Sequence, residues 1–166
     1  MQKSFKYLIL LLIFNMGCVS VKYSMVDGSI DAETFNVDLF EEAAPNAPAG
    51  YGATYADFLK DFIISRSKLK LNQTKSDINI SGKVTFYNTS PVSVQSNEVA
   101  ALNSLTVRLD VIVINSKNPD QSFEASFSQF SNYNSSDDLS VVEAELLEDI
   151  NTKLSQDIIN RLTSNW

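Results

Sequence analysis

The chain has 166 residues, of which 44% are hydrophobic and 20% charged, a composition that predicts one globular domain with a substantial core. It contains no histidine and a single cysteine, which argues against histidine-based acid–base catalysis, an internal disulfide and a cysteine-rich zinc site. The formal charge of −7 argues against nucleic-acid binding, which requires a basic surface.

The first 17 residues are arranged like a secretory signal. Residues 1–6, MQKSFK, carry two lysines, and residues 7–14, YLILLLIF, form an apolar run that is too short to cross a bilayer. Gly17 and Cys18 follow, and a small residue before a cysteine at this position resembles the lipobox of bacterial lipoproteins. The resemblance implies that the signal is removed and that Cys18 carries several acyl chains, which give stable membrane anchoring.

The alternatives for this segment are a buried N-terminal helix, a plain secreted protein and a free thiol at Cys18. Asn15 and Met16 differ from the Leu and the small residue that usually precede a lipid-bearing cysteine. Val19 stands where some inner-membrane lipoproteins have Asp, so the resemblance implies the outer membrane. Two of the 13 basic residues lie in the signal, and the remaining chain therefore has 11 basic and 20 acidic residues, a formal charge of −9.

The remaining chain is predicted to hold a lipidated tether over residues 18–32 and one domain over residues 33–166. Prolines and glycines in residues 41–52 indicate a loop, and a second long connection is predicted over residues 88–104. Between these segments, hydrophobic periodicity predicts four strands and two helices in the order β-α-β-β-β-α.

Alternation of apolar and polar residues predicts the strands, at residues 35–39, 77–87, 105–114 and 122–130. Apolar spacings of three and four predict amphipathic helices over residues 54–65 and 140–163, with N-terminal caps at Thr54 and Ser140. The residues expected in the core include Leu39, Ile78, Ile80, Val84, Phe86, Leu105, Val107, Leu109, Val111 and Val113 of the strands and Val141, Val142, Leu146, Ile150, Leu154 and Ile158 of the last helix.

These elements predict a two-layer α+β sandwich in which both helices pack on one face of a four-stranded mixed sheet. The crossover through the first helix allows a parallel strand pair, whereas the short turn at residues 117–120 requires an antiparallel one. The opposite sheet face is expected to be open and polar, with Asn36, Asp38, Asn79, Ser81, Lys83, Thr85, Thr106, Arg108, Glu124, Ser126 and Ser128.

The sequence contains no recognisable nucleophile elbow, phosphate-binding loop or metal-ligand spacing, so no catalytic residue, metal or cofactor is predicted. Asp137 and Asp138 precede the last helix, where acidic residues interact favourably with the helix dipole, and this explains them better than a metal site does. Lys83 and Arg108 on the open face have two interpretations. They form an anion-binding pair, or they are surface charges paired with neighbouring carboxylates, which is the interpretation we favour.

Several segments resemble the lipopolysaccharide-assembly lipoprotein family, LptE. They are YS at 23–24, SPV at 90–92, NEVAALNSLT at 97–106, FEASFS at 123–128 and NRLTSNW at 160–166. The resemblance implies a non-enzymatic outer-membrane lipoprotein that faces the periplasm. It also implies a β-barrel translocon, LptD, as the partner, with the lipoprotein as a plug in the barrel lumen that assists barrel assembly and contacts lipopolysaccharide during its transport.

A domain with a charge of −9 repels anionic lipopolysaccharide unless it has a local basic patch, for which Lys68, Lys70, Lys83 and Arg108 are the candidates. None of them is matched to a binding position of the family. The alternative function is a stand-alone periplasmic lipoprotein that binds a small apolar or peptide ligand between helices and sheet. An enzyme without a recognisable motif is a third hypothesis, and the missing histidine argues against it.

Overall fold

The structure, a computed structural model, describes residues 32–92 and 101–164. The predictions for the signal, for Cys18 and for nearly all of the tether lie outside the described residues. The elements are, in chain order, β1 (Thr34–Val37), β2 (Glu41–Glu42), α1 (Tyr51–Arg66), β3 (Lys70–Leu71), β4 (Ile78–Val92), β5 (Leu102–Asn115), a short 3₁₀ helix (Pro119–Gln121), β6 (Phe123–Asn134) and α2 (Leu139–Thr163).

The described strands form one mixed sheet in the order β3-β1-β4-β5-β6, and β2 also pairs with β4. β1 runs parallel to β3 and β4, whereas β4, β5 and β6 are antiparallel neighbours. The predicted α+β architecture is confirmed, but the described residues form a sheet of six strands instead of four. The two additional strands, β2 and β3, have two residues each, which is too short for a periodic pattern to reveal them. β2 lies inside the predicted loop of residues 41–52.

Both helices cover the same face of the sheet. α1 packs against β1 and against α2, and α2 lies mainly over β6. The shared core contains fully buried side chains from both layers, which are Tyr55, Leu59 and Ile63 of α1, Ile150, Leu154 and Ile158 of α2, and Ile80, Val84, Leu109 and Val111 of the sheet. Burying these apolar side chains supplies the main stabilisation of the fold.

Both helices begin earlier than predicted. α1 starts at Tyr51 after Gly50, whose φ of 83° is a left-handed conformation that glycine adopts without strain. Thr54 is therefore inside the helix and not its cap. α2 is capped by Asp138, whose carboxylate accepts the backbone N–H of Ser140 at 3.0 Å. The capping box at Ser140 is wrong because the helix already includes that residue.

Leu39 and Val141, which were both expected in the core, are exposed instead. Leu39 lies beyond the end of β1 and is 70% exposed, because the strand stops at Val37. Val141, in the first turn of α2, is 79% exposed. The buried stripe of this helix is narrower than predicted at its N-terminal end, and it runs through Leu146, Ile150, Leu154 and Ile158 as expected.

The β4–β5 hairpin is longer than predicted. Cross-strand pairs continue through Asn88 with Thr106 to Val92 with Leu102, so the predicted connection over residues 88–104 is wrong at both ends. Pro91 pairs with Asn103 where β4 has no neighbour on its other side among the described strands, and a proline is tolerated at such an edge. Pairing across the hairpin overrides the loop-like local composition.

A β-bulge in β4 reverses the inside–outside alternation of the strand. The register with β5 shifts between Val84 and Phe86, because Thr85 is an additional residue on the β4 side. Tyr87 consequently takes the core position and is 5% exposed, whereas Phe86 points to the opposite face and is 39% exposed. The predicted burial of Phe86 is wrong for this reason.

Candidate functional site

The sheet face opposite the two helices carries a polar band that crosses the four strands β2, β4, β5 and β6. Lys83 of β4 is in register with Asp110 of β5, which is in register with Ser126 of β6. The Ser126 hydroxyl donates to the Asp110 carboxylate at 2.5 Å, and the Lys83 ammonium lies 2.9 Å from the carboxylate of Glu41. We call Lys83, Asp110, Ser126 and Glu41 the polar band.

Lys83 is paired with a carboxylate, as our favoured interpretation of this residue expects. Its partner is Glu41 of β2, which runs parallel to β4 with Glu41 opposite Lys83. The hydrogen bond from Lys83 to Glu41 raises the pKa of the lysine, and the charge of Glu41 acts in the same direction. Sequence analysis missed Glu41 because the two-residue strand that places it leaves no periodic signal.

Arg108 lies next to an exposed aromatic ring and forms no salt bridge with a described carboxylate. The bulge in β4 brings Phe86 opposite Arg108, and the guanidinium carbon is 5.5 Å from the centroid of the Phe86 ring. Arg108 and Lys83 therefore share one sheet face on adjacent strands, close to each other in register. Lys70 belongs to β3, which β1 and β4 separate from β5, so the four candidate cations are not gathered into one patch.

The open face is less polar than the sequence analysis predicts. Ile112 and Ile114 lie on one side of the polar band, and Phe86 and Phe130 lie on the other; all four are at least 39% exposed. The isoleucines were detectable, since they alternate with the buried Val111 and Val113. This face therefore exposes large apolar side chains beside charged and hydroxyl groups.

Hydrogen bonds connect α2 to Tyr51 of α1 and to Tyr87 of β4. The Tyr51 hydroxyl donates to Asn151 at 2.6 Å, and the Tyr87 hydroxyl donates to Glu143 at 2.5 Å. Burial raises the pKa of both tyrosines, so they stay protonated and keep donating. Every buried side-chain nitrogen and oxygen in residues 32–92 and 101–164 has a partner. The buried polar side chains between the helices and the sheet thus have their partners within the domain.

The Asp77 carboxylate links the start of β1 to the open end of the β4–β5 hairpin, where β4 begins and β5 ends. Its carboxylate accepts the backbone N–H groups of Glu33 and Thr34, each at 2.9 Å, and lies 3.3 Å from the Lys117 ammonium. These interactions, with the Glu33 N–H first, lower the pKa of Asp77 to about 2. Ala32, the first described residue, directly precedes this contact.

Asp137 and Asp138 are engaged in local hydrogen bonds, and the part of the chain that the structure describes contains no cluster of three or more metal-ligating side chains. None of the described helices is long and apolar enough to cross a membrane.

Comparison with known structures defines the class first. Two helices on one face of a mixed sheet form a two-layer α+β domain that is also found in a minor lipoprotein from Acinetobacter baumannii, with a TM-score of 0.51, 12% identity, and coverage of 81% of this chain and 95% of that one. A hypothetical protein from Chlamydia trachomatis matches with a TM-score of 0.54, 8% identity and coverage of 81% and 99%. At these identities the likeness establishes the fold alone.

The family follows from the sequence itself. The LptE family model, described as lipopolysaccharide-assembly, matches residues 32–162, and the chain belongs to this family. The resemblance found in the sequence is thereby confirmed, and it places the chain among lipoproteins that serve lipopolysaccharide assembly at the outer membrane. A search of curated proteins found no significant match.

Proposed function

We propose that this chain is a non-enzymatic outer-membrane lipoprotein that partners an LptD-like β-barrel, as plug and assembly factor, while lipopolysaccharide is transported to the cell surface. The observation that carries the proposal is the family match over residues 32–162. In this proposal Cys18 bears the lipid, the acyl chains hold the domain at the periplasmic side of the membrane, and the domain enters the barrel lumen.

The chemistry of the open sheet face supports a barrel as the partner. Barrel lumens are polar, and the polar band offers both donors and acceptors to such a wall. The exposed Ile112 and Phe130 provide apolar contacts on the same face. If this face had no exposed polar groups, it could not form new hydrogen bonds to the wall in place of those that the wall makes with the displaced water.

For the lipopolysaccharide contact we propose Arg108 first and Lys83 second. A guanidinium presents a planar set of donors that suits anionic groups, whereas Lys83 must first give up its contact with Glu41. Arg108→Gln is expected to weaken binding of purified lipopolysaccharide more than Lys83→Gln does, as measured by immobilised-ligand binding at low salt. Binding unchanged in both variants would reject this site and leave the barrel partnership intact.

The central experiment is co-purification from outer membranes in mild detergent. The tagged lipoprotein is expected to bring down a large β-barrel protein in a stable ratio. If no such barrel is recovered, the plug hypothesis is rejected and the stand-alone ligand-binding alternative becomes the better one.

A second experiment tests the anchor. Cys18→Ala is expected to leave the membrane fraction after a salt wash, whereas Ser20→Ala, two residues away, is expected to remain there. Retention of both variants would contradict lipidation of Cys18.

A further inference from the structure

The outer edge of β6 is a long strand edge that has no neighbouring strand in the described part of the chain. β6 spans the 12 residues Phe123–Asn134 and is the last strand of the sheet, paired with β5 only. On the other side of the sheet, the edge in the described part of the chain consists of the two-residue strands β3 and β2 and of the end of β4, where Pro91 lies. The two sides of the sheet therefore differ, because among the described strands β6 alone offers a long edge without a proline or a bulge.

The direction of the backbone groups along β6 follows from two hydrogen bonds. The N–H of Ser135 donates to Ala101 on the β5 side, whereas the carbonyl of Phe130 accepts from the Lys153 ammonium of α2 at 3.3 Å. In an antiparallel strand the N–H and C=O of one residue point to the same side, and successive residues alternate. The residues whose backbone groups point away from β5 are therefore Glu124, Ser126, Ser128, Phe130 and Asn132.

This edge lacks the features that usually keep a strand edge from pairing. Proteins protect such edges with proline, lysine or a bulge. The sequence of β6, FEASFSQFSNYN, contains no proline and no lysine, and its pairing with β5 has no register shift. Lys153, which reaches the edge from α2 and also bonds Asp149 at 2.5 Å, covers one carbonyl of the series.

We propose that the outer edge of β6 binds an extended segment of the barrel partner as an additional strand, through backbone hydrogen bonds. This inference rests on the proposed function and names the surface by which that partnership is made. The bonds would be made by the N–H and C=O groups of Ser126, Ser128 and Phe130, with Lys153 displaced from the Phe130 carbonyl. Strand addition of this kind takes its affinity from the main chain and its register from the alternating side chains.

The position of α2 argues against a second copy of this chain as the occupant. α2 lies over β6, where Asp157 accepts from Gln129 at 2.6 Å. A second β6 would lie about 4.8 Å away and would bring its own α2 with it, whereas packed helices need about 8–10 Å between their axes. A strand with no helix on that face fits the available space.

The closed wall of a barrel does not provide the added strand, because each strand there already has two neighbours. The occupant is therefore a segment of the barrel protein that lies outside the closed wall. Glu124 is the one charged side chain of β6, so the neighbouring face of the added strand is expected to be mainly uncharged.

The test compares Ser128→Pro with Ser128→Ala in the full-length lipoprotein. Proline removes the outward N–H and blocks a strand from approaching, whereas alanine keeps the N–H. The Ser128 N–H takes no part in the β5–β6 ladder, so both variants are expected to fold, which is checked by circular dichroism and thermal melting. Recovery of the barrel in co-purification is expected to fall roughly tenfold or more for Ser128→Pro and to stay at the wild-type level for Ser128→Ala.

The remaining outcomes separate this inference from the proposed function. If the folded proline variant recovers as much barrel as the wild type, the strand edge is not the docking surface, and the partnership stands. If the wild type recovers no barrel, both proposals are rejected. If the wild type forms a concentration-dependent dimer that Ser128→Pro abolishes while barrel recovery is unchanged, a second copy is the occupant and the inference is overturned.

Should the proline variant fail to fold, amide hydrogen exchange of the wild-type complex decides the question. The amides of Ser126, Ser128 and Phe130 are expected to become at least tenfold more protected when the barrel is bound. Ile112, whose side chain lies on the same sheet face but whose backbone is inside the ladder, serves as the internal control and is expected to be unchanged. Equal exchange of the β6 amides with and without the barrel would overturn the inference.

Discussion

The two faces of the sheet are built by alternate residues of the same strands, and they differ in nearly every physical respect. Val111 and Val113 are buried beneath the helices, whereas Ile112 and Ile114, their neighbours in sequence, are exposed. The inner face is apolar and its few polar groups are paired. The outer face mixes an ion pair, short hydrogen bonds and uncovered apolar side chains. The comparison teaches that the inner face determines the fold and leaves the outer face available for binding.

The largest expected effect comes from truncating one inner and one outer side chain of β5. Leu109→Ala removes a fully buried side chain and is expected to lower the free energy of unfolding by about 2–5 kcal/mol. Ile112→Ala, on the open face, is expected to cost less than about 1 kcal/mol. Urea unfolding of both variants measures the difference. Similar losses would mean that the open face is covered by part of the molecule and is not a free surface.

A smaller loss is expected when one of the buried polar pairs is broken. Tyr51→Phe removes the donor to Asn151 and leaves a buried amide oxygen unpaired, at a cost of about 1–3 kcal/mol in chemical unfolding. The double variant Tyr51→Phe with Asn151→Leu removes both partners and is expected to recover much of the loss. If the double variant loses more free energy of unfolding than the two single changes add up to, the stabilising contribution of the pair does not come from this hydrogen bond.

A pH-dependent effect is expected at Asp77, the residue directly before β4. Asp77 has a pKa lowered to about 2 in the folded protein, against an ordinary value of 3.8. Its contribution to stability is present above the ordinary value and is lost as the pH falls from about 3.8 through about 2. Thermal melting between pH 5 and pH 2 is expected to show a smaller acid-induced decline for Asp77→Asn than for the wild type. Parallel curves for the two proteins would contradict this.

The smallest effect is expected on the open face, at the ion pair of the polar band. Both side chains are more than half exposed, so Lys83→Gln is expected to change the free energy of unfolding by less than about 1 kcal/mol. Glu41→Gln is the matched control, and salt should reduce the coupling between the two changes in a double-mutant cycle. A coupling that persists at 1 M salt would place the pair in a less solvated setting than the one described here.

Sequence periodicity predicts the inner face well and the outer face only in part. The alternation in β5 identifies every buried residue from Leu105 to Val113, because a sheet with one covered face repeats every two residues. It fails at the β4 bulge, since Phe86 and Tyr87 are both aromatic and the sequence does not show which of the two side chains points into the core. Pairing across the hairpin likewise decides that Ser90 and Pro91 continue a strand, and no local pattern contains that information.

The contacts of the candidate site are harder to predict for a related reason. Arg108 and Lys83 are visible in the sequence as polar residues of strands, but their neighbours Phe86 and Glu41 are set by a bulge and by a two-residue strand. The outward edge of β6 follows from strand order, which the sequence does not specify. Residues whose role depends on register are therefore found only once the strands are paired.

The position of Asp77 has a mechanical consequence. β1 lies between β3 and β4, and the Asp77 carboxylate accepts hydrogen bonds from the two backbone N–H groups at the start of β1. A pull applied to the chain at Ala32 along the strand loads the hydrogen bonds to both neighbours at once, in shear, instead of opening them one by one. The domain is thus expected to resist a force that is applied to the chain at Ala32.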